Sequence, residues 1–240
     1  MTKQQLRADQ GWIFDNFLML SDNEDVLHPG IMGTRLHRGF MLEDLNAVYA
    51  KVTGRRSFPK SWARRATALE RLGIKANSYN RNSSAAKFFH RAALCYGRAQ
   101  HLVPVHQDPD KETWYEGLRR CYSEVITLSD GLEANSVDFV DGKKSYFIFH
   151  KAKGDGPKPT ILYLPGMDAV KEDFPNPFSN DYTKRGMNIC AMDGPGQGEC
   201  NINGVWQDKN NYALAAEKVI DWLTKRDDVC LLYTSDAADE

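Results

Sequence analysis

Nothing in these 240 residues approaches the roughly 18 uninterrupted apolar positions that a helix needs to cross a bilayer, which excludes a membrane protein. Charge of one sign is not in excess either. Lys and Arg number 31 against 32 Asp and Glu, a formal charge of −1, so nothing general points to nucleic acid or an anionic membrane as partner. The five cysteines (Cys95, Cys121, Cys190, Cys200 and Cys230) form no C-x-x-C pair and match no zinc spacing. The first residues, MTKQQLRADQ, have no apolar core of a secretory signal. Together these predict a cytoplasmic protein with buried thiols, no disulfide scaffold and no metal. One helix pair with Trp62 and Tyr96 has faint tetratricopeptide spacing, but stacked arrays need about three such units.

What remains is ordinary globular composition, 42% hydrophobic and 26% charged, with two halves that read differently. From about Asp44 to Leu128 the apolar period is helical. Trp62, Ala66 and Leu69 share one stripe; Ala85, Phe88, Phe89, Ala92, Cys95, Tyr96, Ala99 and Leu102 share a second, ended by Pro104. A third helix opens at Asp108-Pro109, an N-cap followed by proline, and carries Trp114, Leu118, Cys121, Tyr122, Val125 and Leu128. Lys51, Arg55, Arg56, Lys60, Arg64, Arg65 and Arg71 form a basic run that, without interleaved aromatics, reads as a solvated face.

After Ser129-Asp130-Gly131 the period shortens. Ser136–Val140 and Ser145–His150 read as strands joined at Asp141-Gly142, a strong hairpin signal. Ile161–Leu164 reads as a strand buried on both faces, and Met187–Met192 as the next buried strand. A helix is expected from about Asp168, with Glu172 and Asp173 in its first turn, and another over Asn211–Arg226. The fold class is therefore α/β: an N-terminal helical domain (1–130), then a sheet with an opening antiparallel hairpin and parallel strands (131–229).

Two loops at strand ends are candidates for chemistry, since ligands of open α/β sheets sit there. Leu164-Pro165-Gly166-Met167-Asp168 could turn sharply at Gly166 and present amides to a developing negative charge. The alternative is a plain strand-to-helix turn. Asp193-Gly194-Pro195-Gly196-Gln197-Gly198-Glu199 invites a dinucleotide-binding reading. Its spacing is wrong, because Glu199 stands where the last glycine should be, no clear helix follows at once, and Pro195 removes a donor. A tight structural loop of Gly194, Gly196 and Gly198, with Asp193 accepting backbone N–H bonds, fits better.

These features resemble the α/β-hydrolase superfamily over about Ser136–Arg226. The helical runs WARRATALERLG, NSSAAKFFHRAALCYGRA and WYEGLRRCYSEVITL narrow the resemblance to the 2,6-dihydroxypseudooxynicotine hydrolase-like group, esterase-like proteins and C–C hydrolases with an N-terminal helical domain. That group's G-G-L-D-x-x-K-E loop is matched by Pro165-Gly166-Met167-Asp168-Ala169-Val170-Lys171-Glu172, with Pro165 for the first glycine, and DGPGQGE is its most specific match. The resemblance implies a cofactor-independent serine hydrolase of an ester or a ketone-adjacent C–C bond, acting on a small molecule and often dimeric. It implies an oxyanion hole at Gly166 and the Met167 N–H. Some of Trp62, Phe88, Phe89, Trp114 and Tyr115 would then face a substrate pocket.

No serine or cysteine here stands in a G-x-S-x-G elbow, and all six histidines (His28, His37, His90, His101, His106, His150) precede where that elbow should be. The last residues, Cys230–Glu240, resemble the translation of a sequencing adapter; a genuine acidic tail is the alternative. The expectation is a fragment without catalytic triad, inactive as given and poorly soluble through an open strand edge. The rival is a non-catalytic helical binding module on a degenerate α/β scaffold.

Overall fold

The computed structural model describes residues 12–13, 15–16, 31–54, 56–101, 103, 108–166 and 169–230. The chain divides into two compact units between Leu128 and Ser129.

The first unit is helical: α1 (Ile31–Arg38), α2 (Leu42–Tyr49), α3 (Ser57–Ser78), α4 (Asn82–His101) and α5 (Pro109–Thr127). The long helices α3, α4 and α5 pack in sequence, α4 against both neighbours. Their apolar stripes supply the core, with Trp62, Ala66, Leu69, Ala85, Ala92, Cys95, Leu118, Cys121 and Val125 fully buried. Trp62 is edge-on to Phe40 (5.7 Å) and Tyr49 (6.2 Å), which fixes α1 and α2 on α3. The carboxylate of Asp108 caps α5, accepting from the amides of Asp110 (2.9 Å) and Lys111 (3.2 Å). Part of the basic run is not solvated as expected. Arg65 donates to the buried carboxylate of Asp44 at 2.6 Å, as does Arg91 at 2.7 Å, so Asp44 draws both side chains inward. Of the aromatics considered for a pocket, Trp62 and Tyr115 are sealed in the core. Phe89 borders a cleft of about 390 Å³ shared with Glu70, Ile74, Arg120, Cys121 and Glu124.

The second unit holds β1 (Leu132–Val140), β2 (Lys143–His150), β3 (Lys158–Tyr163), α6 (Asp181–Lys184), β4 (Asn188–Asp193), α7 (Gly198–Ile202), α8 (Asn211–Leu223) and β5 (Val229–Cys230). The sheet order is β1-β2-β4-β3-β5. β1 and β2 form the hairpin, β2 runs antiparallel to β4, and β3 is parallel to β4 and β5. Asp141 (φ 49°) and Gly142 (φ 72°) take the left-handed conformations that a two-residue hairpin turn demands. β4 is central and all six of its residues are buried. Phe147, Phe149, Cys190, Met192, Val219 and Leu223 form the core beneath α8, and His150 is packed inside. Cys95, Cys121, Cys190 and Cys200 are free and buried.

Three expectations fail. β3 is not buried on both faces: Ile161, Leu162 and Tyr163 are half-buried and Leu164 is exposed. No helix follows near Asp168 among the described residues; Lys171–Asp173 form a turn, and the first helix after it is α6. Pro175 and Pro177 remove amide donors and bias Phe174 and Asn176 away from helical backbone, while Lys171 and Glu172 are drawn into the interior. A helix does follow DGPGQ at once, the five-residue α7.

Candidate active site

Because β3 and β4 are parallel neighbours, with Tyr163 opposite Ala191, their carboxyl ends reach the same rim of the sheet. The loop after each strand therefore meets the other there. Gln197 joins them. Its side-chain amide donates to the carbonyls of Pro165 and Gly166, each at 2.9 Å, while its Oε1 accepts from the Gly194 amide (3.0 Å) and the Tyr212 hydroxyl (2.7 Å). Every donor and acceptor of this buried side chain's amide that can bridge the loops is used.

The turn after β3 is closed by the Ala169 amide donating to the Gly166 carbonyl at 2.9 Å. Gly166 does not need to be glycine for its own conformation: its φ lies outside the left-handed region, and a β-carbon there would meet nothing within 4 Å. The turn at Gly166 therefore does not rely on a left-handed backbone, and among the described residues the space beside it is open. Met167 and Asp168 lie outside the described residues.

Asp193, the last residue of β4, is fully buried and accepts backbone N–H bonds. Its Oδ1 takes the Lys171 amide (2.8 Å) and its Oδ2 takes the Glu199 amide (2.9 Å). The Lys171 ammonium also bonds Asp193 (2.9 Å), Glu172 (2.7 Å) and Glu199 (3.1 Å). Burial raises the Glu172 carboxyl to about 7, with the Asp193 charge adding to the effect and Lys171 opposing it. Burial likewise raises the Tyr212 hydroxyl and the Cys200 thiol to about 12, so both are neutral at physiological pH.

The glycines of this loop make room. A β-carbon on Gly194 would fall 2.1 Å from the Tyr212 ring, and one on Gly198 (φ 39°) 2.2 Å from the Asp193 carboxylate. Gly196, at φ 88°, donates its amide to the Val205 carbonyl at 2.8 Å. The sequence places Asp193, Gly194, Gly196 and Gly198 in one loop, but it does not point to the bridging role of Gln197 and Tyr212 or to the buried cluster of Lys171 and Glu172. For the last two the K-E of the PGMDAVKE motif was the available signal. Among the described residues, no group of three His, Cys, Asp or Glu could hold a metal ion, and no helix is long and apolar enough to cross a membrane.

Residues 43–227 match the family model of FrsA-like esterases, described as "Esterase FrsA-like". The chain belongs to the FrsA-like esterase family. It is 27% identical over 192 residues to a 2,6-dihydropseudooxynicotine hydrolase of Paenarthrobacter nicotinovorans, covering 74% of this chain and 48% of that one. It is 28% identical over 102 residues to esterase FrsA of Citrobacter koseri, covering 42% of this chain and 24% of that one. The crystal structure of the 2,6-dihydroxy-pseudo-oxynicotine hydrolase superposes with a TM-score of 0.69 at 24% identity, over 83% of this chain and 55% of the other. The wild-type AbyA5 structure gives 0.53 at 15% identity, over 83% and 53%. The hydrolase structure shares the α/β-hydrolase fold with this FrsA-like chain, which spans about half the length of the curated hydrolase it matches over the longer stretch.

Proposed function

We propose that this FrsA-like chain provides the helical unit and the oxyanion side of a serine hydrolase acting on an ester or on a C–C bond beside a ketone. The observation that carries the reading is the Gln197 bracket, which holds the turn after β3 against the loop after β4 on one rim of the sheet. Amides fixed in advance around a developing alkoxide are the arrangement that contributes most to acyl-transfer catalysis. Family membership supports a hydrolase, and the open space beside Gly166 supports a substrate carbonyl lying next to that turn. The Met167 amide is the first donor in this reading; the second belongs to the residue after the nucleophile.

A nucleophilic serine, an acid and a histidine complete the mechanism: serine attacks the carbonyl, histidine takes its proton, and the acid orients histidine. Residues 1–240 contain no G-x-S-x-G, so the reading assigns the triad to the remainder of a complete enzyme. The test is to read the parental gene beyond the codon for Val229 and to express its product. A continuing frame with G-x-S-x-G, and turnover of a p-nitrophenyl ester that a fluorophosphonate abolishes, is the expected result. A stop codon soon after Val229, or a continuation with no hydroxyl nucleophile, would establish the non-catalytic scaffold instead. The 240-residue chain alone should not turn over the ester.

A further inference from the structure

Beneath the two loops, four ionisable side chains share one interior site. One ammonium, Lys171, is bonded to three carboxylates: Glu172 at 2.7 Å from its own turn, Asp193 at 2.9 Å from β4, and Glu199 at 3.1 Å from α7. Lys171 also donates its backbone amide to the opposite oxygen of Asp193, so main chain and side chain grip the same carboxylate. Such a two-point grip fixes the direction of the chain at residue 171, and through it the turn that ends there. Tyr212 of α8 and Cys200 of α7 also face Asp193 and are uncharged.

The charges in this cluster do not balance. With all three carboxylates ionised the set carries −2, and with one protonated it carries −1. Burying surplus charge is costly, so the proton goes to the carboxyl that keeps a buried oxygen without a donor. That carboxyl is Glu172: its Oε1 has the Lys171 ammonium, while its Oε2 is buried without a hydrogen-bond partner. Asp193, by contrast, accepts from two amides and the ammonium.

We propose that Lys171 is a positioning residue that holds the turn after β3 through Asp193, and that Glu172 modulates this grip by taking up or releasing one proton. The direction follows from the cluster's charge. Near and below neutral pH Glu172 is protonated and the turn is held firmly; as pH rises through about 7 the added buried charge loosens it. The consequence for catalysis rests on the proposed function, whereas the grip itself does not.

Amide hydrogen exchange of the 240-residue chain, corrected for intrinsic rates, reads the grip at the Ala169, Lys171 and Glu199 amides. In the wild type their protection should fall at least fivefold between pH 6 and pH 8, while amides of β2 stay constant. Glu172→Gln, which cannot ionise, should remove that pH dependence. Lys171→Met should lower protection at these amides at least tenfold at both pH values; where it unfolds the second unit, Lys171→Arg replaces it and should restore protection only in part. Unchanged protection in the Lys171 variants, or a pH dependence that persists in Glu172→Gln, would overturn the proposal. An intact, pH-dependent grip in a parental protein without hydrolase activity would sink the function reading alone.

Discussion

Gly198→Ala combines a steric clash with a conformational penalty at the rim. The added methyl would lie 2.2 Å from Oδ2, 2.5 Å from Cγ and 2.6 Å from Oδ1 of Asp193, and the backbone at φ 39° is one that L side chains resist. The conformational part costs about 1–2 kcal/mol. The carboxylate cannot swing away freely, because it is fully buried and engages the Lys171 amide, the Lys171 ammonium and the Glu199 amide. Losing one such charge-assisted bond costs about 1.5–3 kcal/mol, which brings the total to roughly 3–5 kcal/mol, a large share of the 5–15 kcal/mol typical of a domain. Gly196→Ala is the control. Gly196 is also left-handed (φ 88°), but its β-carbon would stand 3.5 Å from Gln207, so only the conformational part of about 1–2 kcal/mol applies. Because the chain has two units, a single global melt is ambiguous. The assay is the opening free energy of the Ile189–Met192 amides of β4, measured by exchange across a urea series. Equal losses in both variants, or a Gly198→Ala loss within about 0.5 kcal/mol of zero, would refute the assignment of Asp193 as the hub.

Gly166→Ala should behave in the opposite way. With open space around the position and no left-handed backbone, its stability should stay within about 0.5 kcal/mol of wild type, while ester turnover by the complete protein, on the proposed function, should fall at least tenfold because the methyl would occupy the place assigned to the substrate. Arg226→Ala should cost about 2–3 kcal/mol at neutral pH. Arg226 bonds Glu133 (2.8 Å) and Asp228 (2.8 Å) and lies over the rings of Phe149 (4.4 Å) and Trp222 (4.6 Å). Arg226 and Lys151 hold the Asp228 carboxyl below the ordinary carboxylate range. Its contribution is therefore present above the unfolded value of 3.8 and lost as pH falls through the lower folded one, so urea midpoints of variant and wild type should converge on acidification.

Features settled by neighbouring residues were legible in the sequence. The hairpin turn depends only on Asp141 and Gly142, and the start of α5 only on Asp108 and Pro109, so each could be placed without knowing the fold. β4 announced itself because a strand buried along its whole length must be apolar nearly throughout. The errors lie where distant partners decide. Glu172 and Asp173 look like the acidic first turn of a helix, yet Lys171 is held by a carboxylate 22 positions away in sequence and in turn pairs with Glu172. Gln197 reaches back 32 positions to Pro165, and Arg65 is claimed by Asp44, 21 positions before it. An apolar run such as Ile161–Leu164 shows that a strand is present, but how far its faces are covered depends on elements distant in sequence, and Ile161, Leu162 and Tyr163 are only half-buried.

The same contrast explains why the site is built from a polar cluster rather than an apolar one. A well-packed hydrophobic replacement for a buried ion cluster is often as stable or more so, so stability alone gives no reason for Lys171, Glu172, Asp193 and Glu199 to meet inside the protein. Apolar contacts are non-directional and would leave the turn after β3 free to settle in several arrangements. Hydrogen bonds to Asp193 from Lys171 N (2.8 Å), Lys171 Nζ (2.9 Å) and Glu199 N (2.9 Å) admit one. Under the proposed function, a site presenting amides to a charge that appears only in a transition state needs that single arrangement more than it needs the last increment of stability. Gln197 extends the same logic to the outer side of the turn, so the chain after β3 is held from beneath by a carboxylate and from beside by an amide.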